Sequence, residues 1–170
     1  MPATRADLNH ICGCVVSKDM ATVADRHHTR AHIGLTDRPI ALVLRLIAVA
    51  GLAVDVWVHA SLESQYAGLG DTITQGRLFG AEAVVAGLVA LWLLLTGNRW
   101  AWLATFLVAV SALGAVLLYR YVDVGTLGPL PNMYEPTWYF RKTLSAYAEA
   151  IAALAAVVRL VQIWSPPRRD

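Results

Sequence analysis

The sequence has little charge and almost no cysteine. Charged residues make up 15% of the 170 residues, against about 25% in an average soluble domain, while 57% are hydrophobic. With a mean hydropathy of +0.52, these values argue against a water-soluble enzyme or a disordered scaffold. The net charge of +2 is too small to indicate a nucleic-acid partner. Cys12 and Cys14 both precede the apolar body, so no disulfide can cross-link it.

The hydrophobic residues gather into four long stretches, at about residues 39–58, 78–96, 100–119 and 143–164. Each is close to the roughly 20 residues that an α-helix needs to cross a bilayer, and a helix satisfies its backbone in lipid. A water-soluble bundle would need polar helix faces, which residues 84–95 and 101–118 lack. The sequence therefore predicts an all-α fold, an integral membrane bundle of four helices.

Basic residues are distributed unevenly around these stretches, and this predicts the orientation of the chain. One side of the membrane receives the N-terminal tail, Arg99 and the C-terminal end, which together hold most of the arginines. The other side receives only Arg77, Arg120, Arg141 and Lys142. Because cytoplasmic segments are enriched in Lys and Arg, we predict a multi-pass protein of the cell membrane with both termini cytoplasmic (N-in/C-in). The loops at about 59–77 and 120–142 are then on the outer side.

Tryptophan positions support these boundaries, because Trp prefers the interface between water and lipid. Trp57 and Trp138 fall near the predicted outer boundary. The others fall near the inner boundary: Trp92, Trp100, Trp102 and Trp164. We therefore expect the tryptophans to mark the two membrane surfaces.

The two ends of the chain differ in composition from its body. Residues 1–38 are polar and show no sustained helical or strand period. We predict that they form a disordered cytoplasmic tail, that residues 39–164 form the transmembrane domain, and that residues 165–170 form a second cytoplasmic tail.

The N-terminal tail nevertheless contains residues with metal-binding chemistry. His10, Cys12 and Cys14 have the form H-x-C-x-C, so a metal site is the alternative to a disordered tail. Met20 is a second candidate for the start of translation, besides Met1.

Outside the tails, the acidic residues gather in the outer half of the predicted bundle and in its outer loops. The clearest pattern is Asp55, His59 and Glu63, which recur every four residues and so share one stripe of a continuous helix. Carboxylate and imidazole groups can bind a divalent metal or relay a proton, which makes His59 and Glu63 our candidate metal ligands. The alternative is an interfacial polar stripe in which Asp55 orients His59.

Two further carboxylates, Glu82 and Glu149, lie inside the predicted second and fourth helices. Charged groups in a bilayer are costly and usually face the bundle interior. Glu82 and Glu149 could relay protons, hold the polar head of a ligand, or form a hydrogen bond between helices. Each could also pair with Arg77, Arg120 or Lys142. The candidate ligand or proton-relay cluster of the outer side is Asp55, His59, Glu63, Glu82, Arg120, Asp123, Glu135 and Glu149.

The outer segment 120–142 is rich in residues that shape loops. Its prolines prevent a regular helix, and its glycines permit tight turns. The aromatic residues near its end are Tyr134, Trp138, Tyr139 and Phe140. We predict a structured outer loop between the third and fourth helices, which acts either as a lid over the mouth of the bundle or as an aromatic anchor among lipid headgroups.

The first three helices carry a recurring combination of small residues and isolated charges. It comprises Leu44-Arg45-Leu46 and Gly51, then Glu82 with the run 93–97 (LLLTG), and then Arg99 before an Ala-rich helix. Over about residues 39–118 this combination resembles the DoxX-like small four-helix membrane proteins. Some members of that group are linked to quinone-coupled sulfur oxidation or to thiol and oxidative-stress complexes. The resemblance therefore implies a redox accessory role.

We accordingly hypothesise an accessory subunit of a quinone- or thiol-linked redox system. Its apolar helices would hold an isoprenoid tail, while His59 and Glu82 would meet the polar head. The expected cofactor is a quinone or a divalent metal, and the expected partners are the lipid bilayer and a membrane or extracytoplasmic oxidoreductase. The sequence shows no nucleophile–base arrangement, phosphate loop or complete metal motif, so we do not expect a self-sufficient enzyme.

Two alternatives belong to other functional classes. A small transporter or channel component would use Glu82 and Glu149 as a polar path through the bundle. An assembly protein would instead dock a partner through the 120–142 loop.

Overall fold

The computed structural model describes residues 38–69 and 73–165. Four helices run through them, and all four are long and apolar enough to cross a membrane. They are α1 (Arg38–Glu63), α2 (Gln75–Thr96), α3 (Arg99–Tyr121) and α4 (Phe140–Trp164). The predicted all-α class is therefore confirmed, and the helices suggest a multi-pass membrane protein. Across the described ranges, β-structure is limited to an isolated bridge between Leu127 and Leu130.

The chain divides into two compact units, Met1–Ala41 and Leu42–Asp170. Only the beginning of α1 is described in the first unit, and the packing of the four helices belongs to the second. The candidate tail ligands His10, Cys12 and Cys14 lie outside the described residues, as do Met20 and most of both predicted tails.

Local sequence explains the tight connection between α2 and α3. Gly97 ends α2 in the left-handed region, with a φ of 59°, and its N–H donates to the carbonyl of Leu93. Asn98 then begins α3, because its side-chain oxygen accepts a hydrogen bond of 2.8 Å from the N–H of Ala101. We call this end of the bundle the turn end. The opposite end, with residues 64–69, 73–74 and 122–139, is the loop end.

At the loop end the helices extend past the apolar stretches. α1 continues to Glu63, while α2 already begins at Gln75 and α4 at Phe140. Hydropathy marks the part of a helix that suits lipid, whereas the helix itself ends where its capping groups lie. Thr74, for example, caps α2 through its hydroxyl, which accepts from the N–H of Arg77 at 3.3 Å.

The helices pack into a closed bundle in which α3 contacts both α2 and α4. α1 closes the ring on its other side, since a Cβ added at Gly51 would lie 2.8 Å from the carbonyl oxygen of Ala148 and 3.0 Å from the Cβ of Ala152. The absence of a side chain at Gly51 thus lets α1 and α4 approach closely. α1 also contacts α2, where the Glu63 carboxylate lies against Gly80.

Small residues line much of the interior of the bundle, and most of its large apolar residues lie on the outside. Ala86, Ala152 and Ala156 are 0% exposed, whereas Leu95 and Leu154 are 72% and 65% exposed. A soluble protein would bury its leucines, because their burial drives folding in water. Lipid provides no such driving force, and small residues allow helices to pack closely. The distribution is therefore the one expected of helices surrounded by lipid.

The tryptophans differ in exposure. Trp57, Trp100 and Trp164 are 55%, 56% and 60% exposed. Trp102 is only 1% exposed and packs with Ala48 and other residues of the turn end. Its side chain therefore fills the bundle, while its position near the start of α3 agrees with the predicted boundary.

Candidate functional site

Four buried polar residues from two helices meet toward the loop end. The Nδ1 atom of His59 lies 2.8 Å from Oδ1 of Asp55. The Ser145 hydroxyl lies 3.1 Å from the same Asp55 oxygen and 2.5 Å from Oε1 of Glu149. We call Asp55, His59, Ser145 and Glu149 the polar cluster. Each is less than a tenth exposed, so the cluster is a connected polar network inside the bundle.

Helical spacing and close helix packing create the polar cluster. Asp55 and His59 lie one turn apart on α1, and Ser145 and Glu149 lie one turn apart on α4. The contact between Gly51 and α4 then brings the two pairs together. Sequence reasoning missed Ser145, although its spacing from Lys142 and Glu149 places all three on one face of α4 and could have identified it.

A cavity of about 410 Å³ adjoins the cluster. Its walls are mostly apolar and come from several helices, for example Val58 of α1, Val85 of α2 and Val116 of α3. The volume lies within the roughly 300–1,000 Å³ typical of small-molecule sites. The cavity can therefore hold a small ring or the end of an amphiphilic molecule.

Polar and aromatic groups occupy part of the cavity wall. His59 and Ser145 of the polar cluster reach it, together with Glu82 and Lys142. Phe79 also lines the cavity, and its ring centroid lies 5.6 Å from that of His59. An apolar chamber with a few convergent polar groups is the usual form of a site that orients a ligand.

Three carboxylate oxygens in this region have no hydrogen-bond partner among the described residues. They are Oδ2 of Asp55, Oε2 of Glu149 and Oε1 of Glu82. An unsatisfied polar atom costs about 1–3 kcal/mol when it is buried. Such atoms commonly mark places where a proton, an ion or a ligand completes the network.

The loop between α3 and α4 covers the cavity at the loop end. Met133, Glu135 and Tyr139 all contribute to the cavity wall. The loop is tied to the helices because the N–H of Glu135 donates to the Tyr119 carbonyl at 3.0 Å, and the Lys142 ammonium donates to the Glu135 carbonyl at 2.5 Å. Of the two predicted roles for this segment, these contacts favour the lid.

Asp123 and Arg120, two members of the predicted cluster, contact residues in and next to the loop instead of the cavity. One Asp123 oxygen accepts hydrogen bonds from the N–H of Gly125 and from the Asn132 amide, at 3.1 and 3.0 Å. The Arg120 guanidinium lies over the rings of Tyr121 and Trp138, at 5.0 and 5.8 Å from their centroids. Both residues therefore shape the loop from outside the cavity wall.

Tyr139 has an altered acidity at the point where the loop enters α4. Burial raises the pKa of its phenol well above the ordinary value, and a hydrogen bond with Tyr66 adds to this effect. Its hydroxyl therefore stays protonated throughout the physiological range and can act as a hydrogen-bond donor at the cavity.

The structure brings together only part of the predicted cluster. Asp55, His59 and Glu149 meet directly, and Glu82 and Glu135 line the adjoining cavity. Glu63 is exposed and its carboxylate lies against Gly80, while Asp55 and Glu149 form a group of three with His59. The metal pair of His59 and Glu63 stays a prediction.

The pairing expected between the membrane carboxylates and Arg77, Arg120 or Lys142 is also not observed. Among the described residues, the contact that meets the distance of a salt bridge joins His59 to Asp55, and it is an ion pair only when His59 is protonated. Lys142 is directed to the Glu135 carbonyl, and its ammonium lies 5.8 Å from the centroid of the Trp138 ring.

Comparisons with protein-family models, curated protein sequences and solved structures gave no significant match to this chain. The resemblance to DoxX-like proteins therefore stays a prediction, and the geometry of the cavity and polar cluster carries the functional argument.

Proposed function

We propose that this chain is a cell-membrane protein that binds the head of a quinone in the cavity near its loop end, as an accessory subunit of a redox system. The observation that carries the proposal is the cavity of about 410 Å³, which has mostly apolar walls and a few polar groups. It lies in a bundle whose four helices are long and apolar enough to cross a membrane. A quinone combines a small ring, two carbonyl oxygens and an isoprenoid tail. The cavity chemistry matches the ring, and the apolar exterior matches the tail.

The polar wall offers suitable partners for both redox states of such a head. The Lys142 ammonium and an imidazole N–H of His59 can donate to the carbonyl oxygens of a quinone. The Glu82 carboxyl group can accept from a quinol hydroxyl when it is ionised. Phe79, whose ring lies 5.2 Å from that of Tyr66, provides an aromatic surface for the ring.

Reduction of a quinone to a quinol adds two electrons and two protons. We assign the electrons to an oxidoreductase partner and the proton exchange to the groups at the cavity. The distribution of basic residues supports a chain with both termini in the cytoplasm. The loop end, its cavity and the partner would then be on the extracytoplasmic side.

Binding to the purified full chain in mild detergent tests the proposal. A short-chain benzoquinone and a short-chain naphthoquinone serve as probes, with native mass spectrometry and calorimetric titration as readouts. We expect one bound molecule per chain and at least about tenfold weaker binding in His59→Ala and Glu82→Ala, which is about 1.4 kcal/mol for each. Glu63→Ala is the matched control, since Glu63 is a neighbouring carboxylate outside the cavity wall.

Equal affinity in wild type and both cavity variants would contradict the proposal. So would stoichiometric extraction of a lipid that neither quinone displaces. Thermal unfolding of each variant shows whether a loss of binding reflects a loss of fold.

The loop supports a docking surface for the redox partner. Tyr134 and Trp138 are each 39% exposed although the surrounding loop is held by its own hydrogen bonds. Aromatic residues on an ordered support are typical of protein interfaces. Trp138→Ala should therefore reduce recovery of a cross-linked partner from native membranes while quinone binding by the purified chain persists.

A further inference from the structure

We propose that Asp55, His59 and Glu149 form a binding site for one divalent transition-metal ion. Each residue offers a ligand atom, and these three atoms all lie within 4.8 Å of one another. The ligands come from α1 and α4, in the interior of the bundle beside the cavity. This inference rests on the polar cluster alone and holds whether or not the cavity binds a quinone.

The unsatisfied oxygens are the first argument for a metal. Asp55 and Glu149 are each 1% exposed, yet Oδ2 of Asp55 and Oε2 of Glu149 have no hydrogen-bond partner among the described residues. Two buried carboxylates require protons or a cation, because an unpaired buried charge is very costly. A protonated His59 would balance only one of the two charges. A divalent ion neutralises both carboxylates at once and leaves the imidazole neutral.

The hydrogen bonds that are present leave these oxygens available. The Ser145 hydroxyl lies close to Oδ1 of Asp55 and Oε1 of Glu149, which are the oxygens that already have partners. Metal-binding carboxylates are commonly oriented in this way by a hydrogen bond to their second oxygen. Ser145 is thus a positioning residue for both carboxylates.

The supporting backbone is rigid on both sides of the proposed site. Asp55 and His59 lie one turn apart on α1, and the close approach of Gly51 to Ala148 and Ala152 holds α4 against that helix. Sites on packed helices keep their ligands in place better than sites on loops do. Two atoms that each lie about 2.0–2.2 Å from the same zinc ion are at most about 4.4 Å apart, so a separation near 4.8 Å has to shorten when the ion binds.

The donor set indicates the class of metal. One imidazole nitrogen and two carboxylate oxygens suit Zn²⁺ or Mn²⁺, whereas Ca²⁺ and Mg²⁺ prefer oxygen ligands alone. Three protein ligands leave at least one coordination position for another molecule. His59 and Ser145 also line the cavity, so that position is accessible to a water molecule or ligand held there.

Metal analysis of the full chain tests the site. The protein is purified in mild detergent through a tag without histidine, stripped with a chelator, and titrated with Zn²⁺ and then Mn²⁺ in a calorimeter. We expect one ion per chain, at least about tenfold weaker binding in Asp55→Asn and in Glu149→Gln, and full affinity in the control Glu63→Gln. A metal-dependent rise in the unfolding temperature should occur in wild type and be lost in both ligand variants.

The tail requires its own control, because His10, Cys12 and Cys14 could also bind zinc. The triple variant His10→Ala, Cys12→Ser, Cys14→Ser should retain the ion. Retention of full affinity in Asp55→Asn and Glu149→Gln, or its loss in the triple variant alone, would overturn the proposal. A wild-type chain that binds neither ion would show that protons, instead of a metal, satisfy the two carboxylates.

Ser145→Ala keeps the three ligands and so distinguishes a metal site from a structural hydrogen-bond network. If a metal is bound, this variant should weaken binding by a smaller factor than Asp55→Asn and should retain the metal-dependent rise in unfolding temperature. A stable Ser145→Ala protein that shows no such rise would contradict the proposed division between ligands and positioning residue.

Discussion

The two ends of the bundle differ in the side chains that occupy their interior. The turn end contains a dry apolar core in which Leu93, Trp102 and Ala156 are 0%, 1% and 0% exposed. The loop end instead contains the polar cluster and a cavity of about 410 Å³, with Asp55 and Glu149 each 1% exposed. The same four helices thus fill one half mainly with apolar side chains, although Nε of Arg45 beside Gly97 is also unsatisfied there. They leave open space and three unsatisfied carboxylate oxygens in the other half.

This difference indicates a division of labour along the bundle. Open volume and buried polar atoms both reduce stability, because contacts are lost and desolvation is not fully compensated. A tightly packed turn end can supply stability that the loop end lacks, and ligand sites generally belong to the less stable parts of a protein. Substitutions matched between the two ends can test this interpretation.

The largest expected effect is that of Trp102→Ala at the turn end. Removal of a fully buried Trp should lower the free energy of unfolding by about 3–5 kcal/mol, since it leaves a large cavity in the packed half. Unfolding of the detergent-solubilised protein by a denaturing detergent measures the loss. Trp100→Ala, at a neighbouring residue that is 56% exposed, should cost less than about 1 kcal/mol. Similar losses in the two variants would refute the packed core.

Gly51→Ala probes the contact that joins α1 to α4. The new Cβ would lie 2.8 Å from the Ala148 carbonyl oxygen, so the helices must separate, at a cost of about 1–3 kcal/mol. The same separation of α1 and α4 should lower the affinity of the polar cluster for any ligand that it binds. Gly114→Ala is the matched control because its added Cβ has nothing within 4 Å. Its helix should become more stable by up to about 1 kcal/mol. Thermal unfolding with and without ligand measures both effects.

Helix caps at the two ends allow a finer comparison. Asn98 accepts a part-buried bond of 2.8 Å from Ala101 at the turn end, whereas Thr74 accepts an exposed bond of 3.3 Å from Arg77 at the loop end. Asn98→Ala should therefore cost about 1 kcal/mol of unfolding free energy. Thr74→Ala should cost less, because a longer, solvated bond contributes less to stability. The reverse order would contradict a more stable turn end.

The sequence predicts the helices well because lipid-crossing segments have a strong compositional signal. Residues 101–118 contain no charge, and this segment lies within α3 as expected. The proximity of Asp55 and His59 could also be predicted from the sequence, since it depends only on their spacing along one helix. Their 2.8 Å contact confirms that part of the predicted stripe.

Other contacts depend on helix rotation and pairing, which hydropathy does not report. Apolar residues are spread almost evenly around α2, so its composition does not distinguish an interior face from a lipid-facing one. For the same reason, hydropathy does not show that the Trp102 side chain is buried. Glu149 lies close to His59 because α1 and α4 pack together at Gly51, and that contact joins residues far apart in the sequence.

The smallest predicted effect concerns Tyr139 in the loop that covers the cavity. Burial and the hydrogen bond with Tyr66 raise the pKa of this phenol, so the folded chain holds its proton more tightly than the unfolded chain does. As the pH rises above about 10, the ordinary tyrosine pKa, the unfolded chain ionises first and the free energy of unfolding must fall. Below that range Tyr139 contributes no pH dependence. Unfolding midpoints measured from about pH 9 to pH 11 should therefore decline in wild type.

Tyr139→Phe should reduce this alkaline decline, because phenylalanine has no proton to lose. Tyr134→Phe is the matched control, since Tyr134 lies in the same loop, is 39% exposed and is outside the cavity wall. An equal decline in wild type and Tyr139→Phe would mean that the phenol is hydrated and that the loop does not close the cavity. A reduced decline in Tyr139→Phe alone would show that the Tyr139 phenol is shielded from water. The loop would then close the cavity at this residue, since Tyr139 is part of the cavity wall.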